Sequence, residues 1–124
     1  MALPNCGVYA TAVIADVTKP IDYWMEKFRE KFNFGARWKG VTNVAQIEAM
    51  LSSEGVKVKR INAPKVNLKK FVDYYSTPGV RYIVRTGYHM QVVVDGIVID
   101  QHQVNKVDKF WGNRKRVTHV IEVK

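Results

Sequence analysis

The chain carries a single thiol, Cys6, and three imidazoles, His89, His102 and His119. These are the side chains best suited to nucleophilic or acid–base chemistry near neutral pH. A cysteine nucleophile needs a base beside it and a third group that orients the base. The pair Asp95-Gly96 supplies a register from which such a trio can be read. Both central positions of a type I′ turn require positive φ, which Asp-Gly accepts. With these two residues as the loop, Val94 pairs with Ile97, Gln91 with Asp100 and His89 with His102. Residues that pair, or stand two apart on a strand, share a face. His89, Gln91, Asp100 and His102 are therefore expected on one face, with His89 and Asp100 as diagonal neighbours. A carboxylate so placed fixes the imidazole tautomer and stabilises its protonated form.

The thiol belongs to a different part of the chain. A helix is expected from about 6 to 17, with Asn5 as its N-cap, and Thr18-Lys19-Pro20 ends it. At a helix start the free backbone N–H groups and the dipole favour a thiolate. Each group also has a plainer account. A lone cysteine is often a small buried hydrophobe, His89 can be a satisfied sheet histidine, and an Asp at a strand end is common. His102 and His119 read as structural or surface groups. The spacing of His89, Asp100 and His102 is not that of a diagnostic metal site, so no metal and no cofactor is expected.

The elements that must position these groups change character halfway along the chain. A second helix is expected from about 20 to 32, with Ile21, Trp24, Met25, Phe28 and Phe32 as its apolar stripe. A third follows Asn43, which forms a capping box with Gln46 and stops at Gly55. A fourth is capped by Asn67 and places Leu68, Phe71, Val72 and Tyr75 on one face. Between these two, 56–61 reads as a short basic strand suited to a sheet edge. After Pro78-Gly79 the period falls to two, giving strands over 81–86, 88–94, 97 to about 103, and 116–123. The run Val92-Val93-Val94 implies a sheet covered on both faces. The fold class is thus α+β, with N-terminal helices packed on a C-terminal antiparallel sheet of four to five strands, and 56–61 as an edge candidate.

Composition sets the outer limits. The 124 residues fit one domain, 1–124, with a 47% hydrophobic fraction and enough length to bury a core without disulfides. No apolar run is long enough to cross a bilayer, and residues 1–5 lack the basic start of a secretory signal. One free cysteine fits a reducing compartment, so a cytoplasmic location without membrane attachment is expected. Twenty Lys and Arg against eleven Asp and Glu give a net charge of +9. Such charge attracts nucleic acid or an acidic protein, and it also serves as a solubilising surface. The densest basic run is Arg114, Lys115 and Arg116, read either as a solvated strand entry or as phosphate contacts. Trp38, Trp111, Tyr74 and Tyr75 read as packing groups, with base stacking as the alternative.

The order of parts resembles the papain-like cysteine peptidase superfamily, in a compact form similar to bacteriocin-processing peptidases and small bacteriophage proteins. The segments that carry the resemblance are Asn5-Cys6-Gly7-Val8, Trp38-Lys39-Gly40-Val41-Thr42, 79–84, Gly87-Tyr88-His89 running on to Asp95-Gly96, Asp100, and 114–120. The resemblance implies a cysteine-dependent hydrolase of a peptide or other amide bond. Cys6 matches the nucleophile, His89 the general base and Asp100 the group that orients it. The substrate would be a peptide or protein, and a bacteriophage origin would place the protein in a bacterial cytoplasm. The family also carries a glutamine several residues before the cysteine as an oxyanion donor, and no Gln stands among residues 1–5. The backbone N–H of Cys6, with the Asn5 side chain as a second donor, is the remaining source. A lost donor costs about 100- to 1,000-fold in rate. A catalytically inactive binding protein on the same fold, holding nucleic acid or an acidic host protein through its basic surface, is the rival reading.

Overall fold

The computed structural model describes residues 4–124. Four helices, α1 (Cys6–Ala15), α2 (Ile21–Phe32), α3 (Val44–Ser53) and α4 (Leu68–Tyr74), come mainly before the strands. The strands are β1 (Val58–Ile61), β2 (Arg81–Thr86), β3 (His89–Val94), β4 (Ile97–Ile99), β5 (Val104–Lys106) and β6 (Val117–Val123). A single 3₁₀ turn, Val107–Lys109, follows β5. They form one six-stranded antiparallel sheet in the order β1-β6-β2-β3-β4-β5. The α+β class and the division into helices and then sheet are as expected.

The sheet is covered on both faces, and the valine run shows how. Val92 packs with Cys6, Ala10, Ile14, Ile47 and Leu51 of α1 and α3. Val93 faces the other way, into a layer with Phe71 and Val72 of α4, Val107 and Phe110. A third cluster joins α1 to α2 and α3 through Val8, Ala12, Trp24, Phe28 and Met50. α1 therefore touches β3, α2 and α3 and is buried nearly all round. Its place is set by packing rather than by an amphipathic stripe. Arg81 Nη1 donates to the Ile14 carbonyl at 3.1 Å, which satisfies one of the orphan acceptors at the helix end.

The sheet has two strands more than the lower expectation, for two physical reasons. The 56–61 candidate does join the edge, where β1 pairs with β6 and exposes Lys59 and Arg60. The other reason is Asp100. The strand expected to reach about residue 103 stops at Ile99, because Asp100 Oδ1 accepts from the backbone N–H groups of His102 and Gln103 at 2.9 and 2.8 Å. Its own N–H donates to the Gln103 carbonyl at 3.0 Å. This side-chain-to-backbone turn redirects the chain. Residues 104–106 then return as β5 along β4. The Val94↔Ile97 register holds as expected. The expected pairing of His89 with His102 does not form. His102 is exposed in the turn, and His89 pairs with Thr86 on β2.

Helix starts also divide. Asn43 and Gln46 make the expected capping box, and Asn67 caps α4 by accepting from Lys70 N–H at 2.8 Å. Asn5 makes no side-chain cap bond, contrary to expectation. Its Oδ1 instead accepts from Gln101 Nε2 at 2.8 Å, tying the entry of α1 to the residue after Asp100. No helix among the described residues is long and apolar enough to cross a membrane.

Candidate active site

Cys6 is the first residue of α1 and is 5% exposed. Two tight approaches place it. A Cβ at Gly7 would sit 2.1 Å from Thr42 Oγ1, 2.9 Å from Ile47 Cδ1 and 3.3 Å from Met90 Sδ. Only glycine lets the loop before α3 and the sheet come so near the helix start. Gly40, at φ +106°, makes a similar approach to the Asn5 side chain. The Cys6 Sγ lies 3.7 Å from the carbonyl oxygen of Tyr88, the residue before His89.

His89 opens β3 and is 2% exposed, as is Asp100. His89 Nε2 lies 2.8 Å from Asp100 Oδ2. The carboxylate accepts, so Nε2 carries the proton and the lone pair of the neutral ring is on Nδ1. Nδ1 is buried and has no hydrogen-bond partner. An unpaired buried nitrogen is costly unless it has a task. Asp100 thus works with both oxygens, one holding the turn and the other holding the imidazole. The indole of Trp111 lies 5.4 Å from the His89 ring, centroid to centroid, with the planes tilted by 50°. Lys115 Nζ stands 4.8 Å over that indole.

Cys6 and His89 line one cleft of about 810 Å³. Its helix-side wall is Pro4, Gly7, Val41 and Thr42. Gly87, Tyr88 and Met90 line it around His89, and Arg85, Lys115, Arg116 and Thr118 complete it on the sheet side.

Electrostatics favour uncharged resting groups. Burial pushes the Cys6 thiol above its ordinary 9.0, opposed by the backbone at Met90, Gly7 and Cys6 and by the Arg85 charge. The thiolate expected from the helix start is therefore not the resting form. The helix-start N–H groups do favour it, but desolvation outweighs them. Burial also pushes His89 below its ordinary 6.5, against the pull of Asp100 in the other direction, with Lys115 and His102 adding to the fall. The Cys6 thiol donates to the Tyr88 carbonyl and not to Nδ1, so passing its proton to the neutral imidazole requires the thiol to turn away from that carbonyl.

Of the sequence candidates, Cys6 and His89 line the same cleft without a hydrogen bond between them, and Asp100 is bonded to His89. Asn5 is half-buried at the entry to α1, its oxygen taken by Gln101. Lys115 and Arg116 line the cleft and are not a separate surface, whereas Arg114 is exposed and does not line it. Sequence reasoning missed three contributors. Trp111 read as packing or as a base-stacking group and not as a neighbour of His89, Arg85 sits in an ordinary strand pattern, and Gln101 acts through a turn whose position depends on Asp100. Among the described residues no three His, Cys, Asp or Glu side chains gather as a metal site.

No protein-family model matches the chain, and no curated protein matches it either. Among solved structures it is similar to the peptidase domain of Streptococcus ComA, a bi-functional ABC transporter involved in a quorum-sensing pathway. The TM-score is 0.58 at 16% sequence identity, covering 97% of this chain and 90% of that one. A likeness at this identity is a likeness of fold, and helices followed by an antiparallel sheet, with a cysteine opening the first helix, are laid out here in a papain-like arrangement.

Proposed function

We propose that the protein is a cysteine-dependent hydrolase of a peptide or other amide bond. The observation that carries this reading is the state of His89. Its Nε2 is held by Asp100 while its Nδ1 is buried and unpartnered in the cleft that Cys6 also lines.

In this mechanism Nδ1 takes the thiol proton as Sγ bonds to the carbonyl carbon, and the carbonyl electron pair moves to oxygen. Asp100 stabilises the imidazolium that forms. Asn5 leaves the helix start without a side-chain cap, so the first backbone N–H groups of α1 remain free to donate to the oxyanion. The Cys6 N–H is the first candidate donor, and the Asn5 side-chain amide is the second. Collapse breaks the C–N bond, and the amine leaves with the proton from Nδ1. Water then attacks the thioester with His89 again as base, releasing the acid and restoring the thiol.

The test is hydrolysis of a pool of internally quenched random peptides, with iodoacetamide labelling of Cys6 in parallel. Cys6→Ala is expected to lower hydrolysis by at least about 10⁴-fold, and His89→Ala to slow labelling. Undiminished cleavage by Cys6→Ala would overturn the reading. Absent cleavage with labelling indifferent to His89 would also overturn it, leaving a binding protein that uses Arg114, Lys115 and Arg116. The cations on the cleft wall are what favour that second reading.

A further inference from the structure

The two sides of the cleft differ in charge. The helix side, Pro4, Gly7, Val41 and Thr42, is neutral. The sheet side presents Arg85 on β2 and Lys115 and Arg116 on the segment entering β6, and among the described residues no acidic one lines the cleft. β2 and β6 are adjacent, with Arg85 paired to His119, so the three cations belong to one wall. None of the three has a carboxylate partner among the described residues. Lys27, Arg29, Arg60, Lys69 and Lys124 elsewhere on the surface have one, while other surface cations such as Arg114 do not, so what sets the three apart is their clustering in one cleft. Two of the three cations are also held in place by rings. Lys115 stands over Trp111, and the Arg85 guanidinium lies 5.7 Å over the ring of Tyr88. Held cations lose less freedom when an anion arrives, and a neutral facing wall does not compete for them.

Resting on the hydrolase reading, we propose that this wall selects the substrate: a peptide segment with carboxylate side chains flanking the bond that Cys6 attacks. Charge alone would also suit a nucleic acid. The lining argues for the peptide, because the same cleft holds Cys6 and His89, whose proposed chemistry acts on an acyl carbon and not on a phosphate. Tyr88, 90% exposed, and Trp111 keep ring area on which bases could stack, so the oligonucleotide belongs among the probes.

Binding is measured on Cys6→Ala protein, so the result does not depend on turnover. The probes are three fluorescent peptides of equal length, one rich in Asp and Glu, one with Asn and Gln in their place and one with Lys, together with a single-stranded oligonucleotide of the same charge as the acidic peptide. The acidic peptide is expected to bind about tenfold or more tightly than the neutral one, and the advantage to shrink between about 0.02 M and about 0.5 M salt. Lys115→Glu with Arg116→Glu, both at exposed positions, is expected to reverse the order so that the Lys peptide binds best. Equal binding of acidic and neutral peptides would overturn the proposal, as would tighter binding of the oligonucleotide or an order that the double reversal leaves unchanged. A wild-type protein that prefers acidic peptides and hydrolyses none would sink the hydrolase reading while leaving the recognition intact.

Discussion

The imidazole side and the thiol side of the cleft are held by different physics. His89 is fixed by a directional bond to Asp100, which is itself fixed by two backbone N–H groups, and Trp111 lies beside the ring. Cys6 has a single weak contact, 3.7 Å to a carbonyl, and is otherwise placed by the close meeting of Gly7 with Thr42, Ile47 and Met90. Hydrogen bonds specify angle as well as distance, whereas packing specifies position and lets a small side chain turn. On the proposed hydrolase reading, His89, the group that would act as base and must present one nitrogen, is held by the first. Cys6, which would act as nucleophile and must move onto a carbon, is held by the second. Removing a bond on one side and filling a gap on the other should therefore fail in different ways.

The largest effect is expected at Asp100. Asp100→Ala removes the partner of Nε2 and the acceptor that turns the chain into β5. The expected loss is about 10⁴-fold in hydrolysis, with about 1–3 kcal/mol of stability for each buried donor left without its acceptor. Asp100→Asn keeps one oxygen for the turn but offers an NH₂ group to the imidazole, so it should unfold later in urea than Asp100→Ala while hydrolysing as poorly. Equal urea midpoints for the two variants would show that the turn does not depend on Oδ1.

On the thiol side the test is Gly7→Ala. The added methyl would meet Thr42 Oγ1, Ile47 Cδ1 and Met90 Sδ inside ordinary contact, an overpacking expected to cost about 1–3 kcal/mol. Thr42 Oγ1 is buried without a partner, so Thr42→Ala removes the nearest obstacle together with an unsatisfied hydroxyl. The double variant should recover part of the loss, with a coupling of about 0.5–3 kcal/mol. Additive losses in urea denaturation would mean that the contact is not what sets the helix start.

The same contrast explains what could be read from the sequence. His89 and Asp100 were legible because a two-residue turn transmits register over five residues, and period two does not drift. Helix type and order were legible from Trp24 and Phe28, or Leu68 and Phe71, which recur at helical spacing. Beyond Ile99 the reading failed, because an Asp side chain bonded its own backbone two and three residues on and cancelled the strand. The cap at Asn5 failed for a related reason. Asn5 found Gln101, 96 residues away, a partner that no local pattern announces. Lys115 and Arg116 stood out as charge, but their place beside Cys6 follows from the β2–β6 pairing, which only the folded sheet supplies.

The smallest effects separate the two sides by their cations. Burial raises the Cys6 thiol, and Arg85 works against that rise. Burial lowers His89, and Lys115 adds to the fall. Arg85→Gln should therefore move the pH profile of iodoacetamide labelling at Cys6 further up and leave the His89 ring titration, followed by NMR, nearly in place. Lys115→Gln should raise the His89 titration and leave the labelling profile nearly in place. Stability follows with opposite signs at the two ends of the pH scale. The folded thiol ionises above 9.0 while the unfolded one ionises near it, so the unfolded chain binds fewer protons there and stability is lost as pH rises past 9.0. The folded imidazole protonates below 6.5, so the unfolded chain binds more protons just under that value and stability is lost as pH falls through it. Cys6→Ala should flatten the alkaline loss in urea midpoints and leave the acid loss unchanged. If Arg85→Gln and Lys115→Gln shift both profiles alike, the wall acts as one undivided field on the whole cleft, and the separate electrostatic control of thiol and imidazole is wrong.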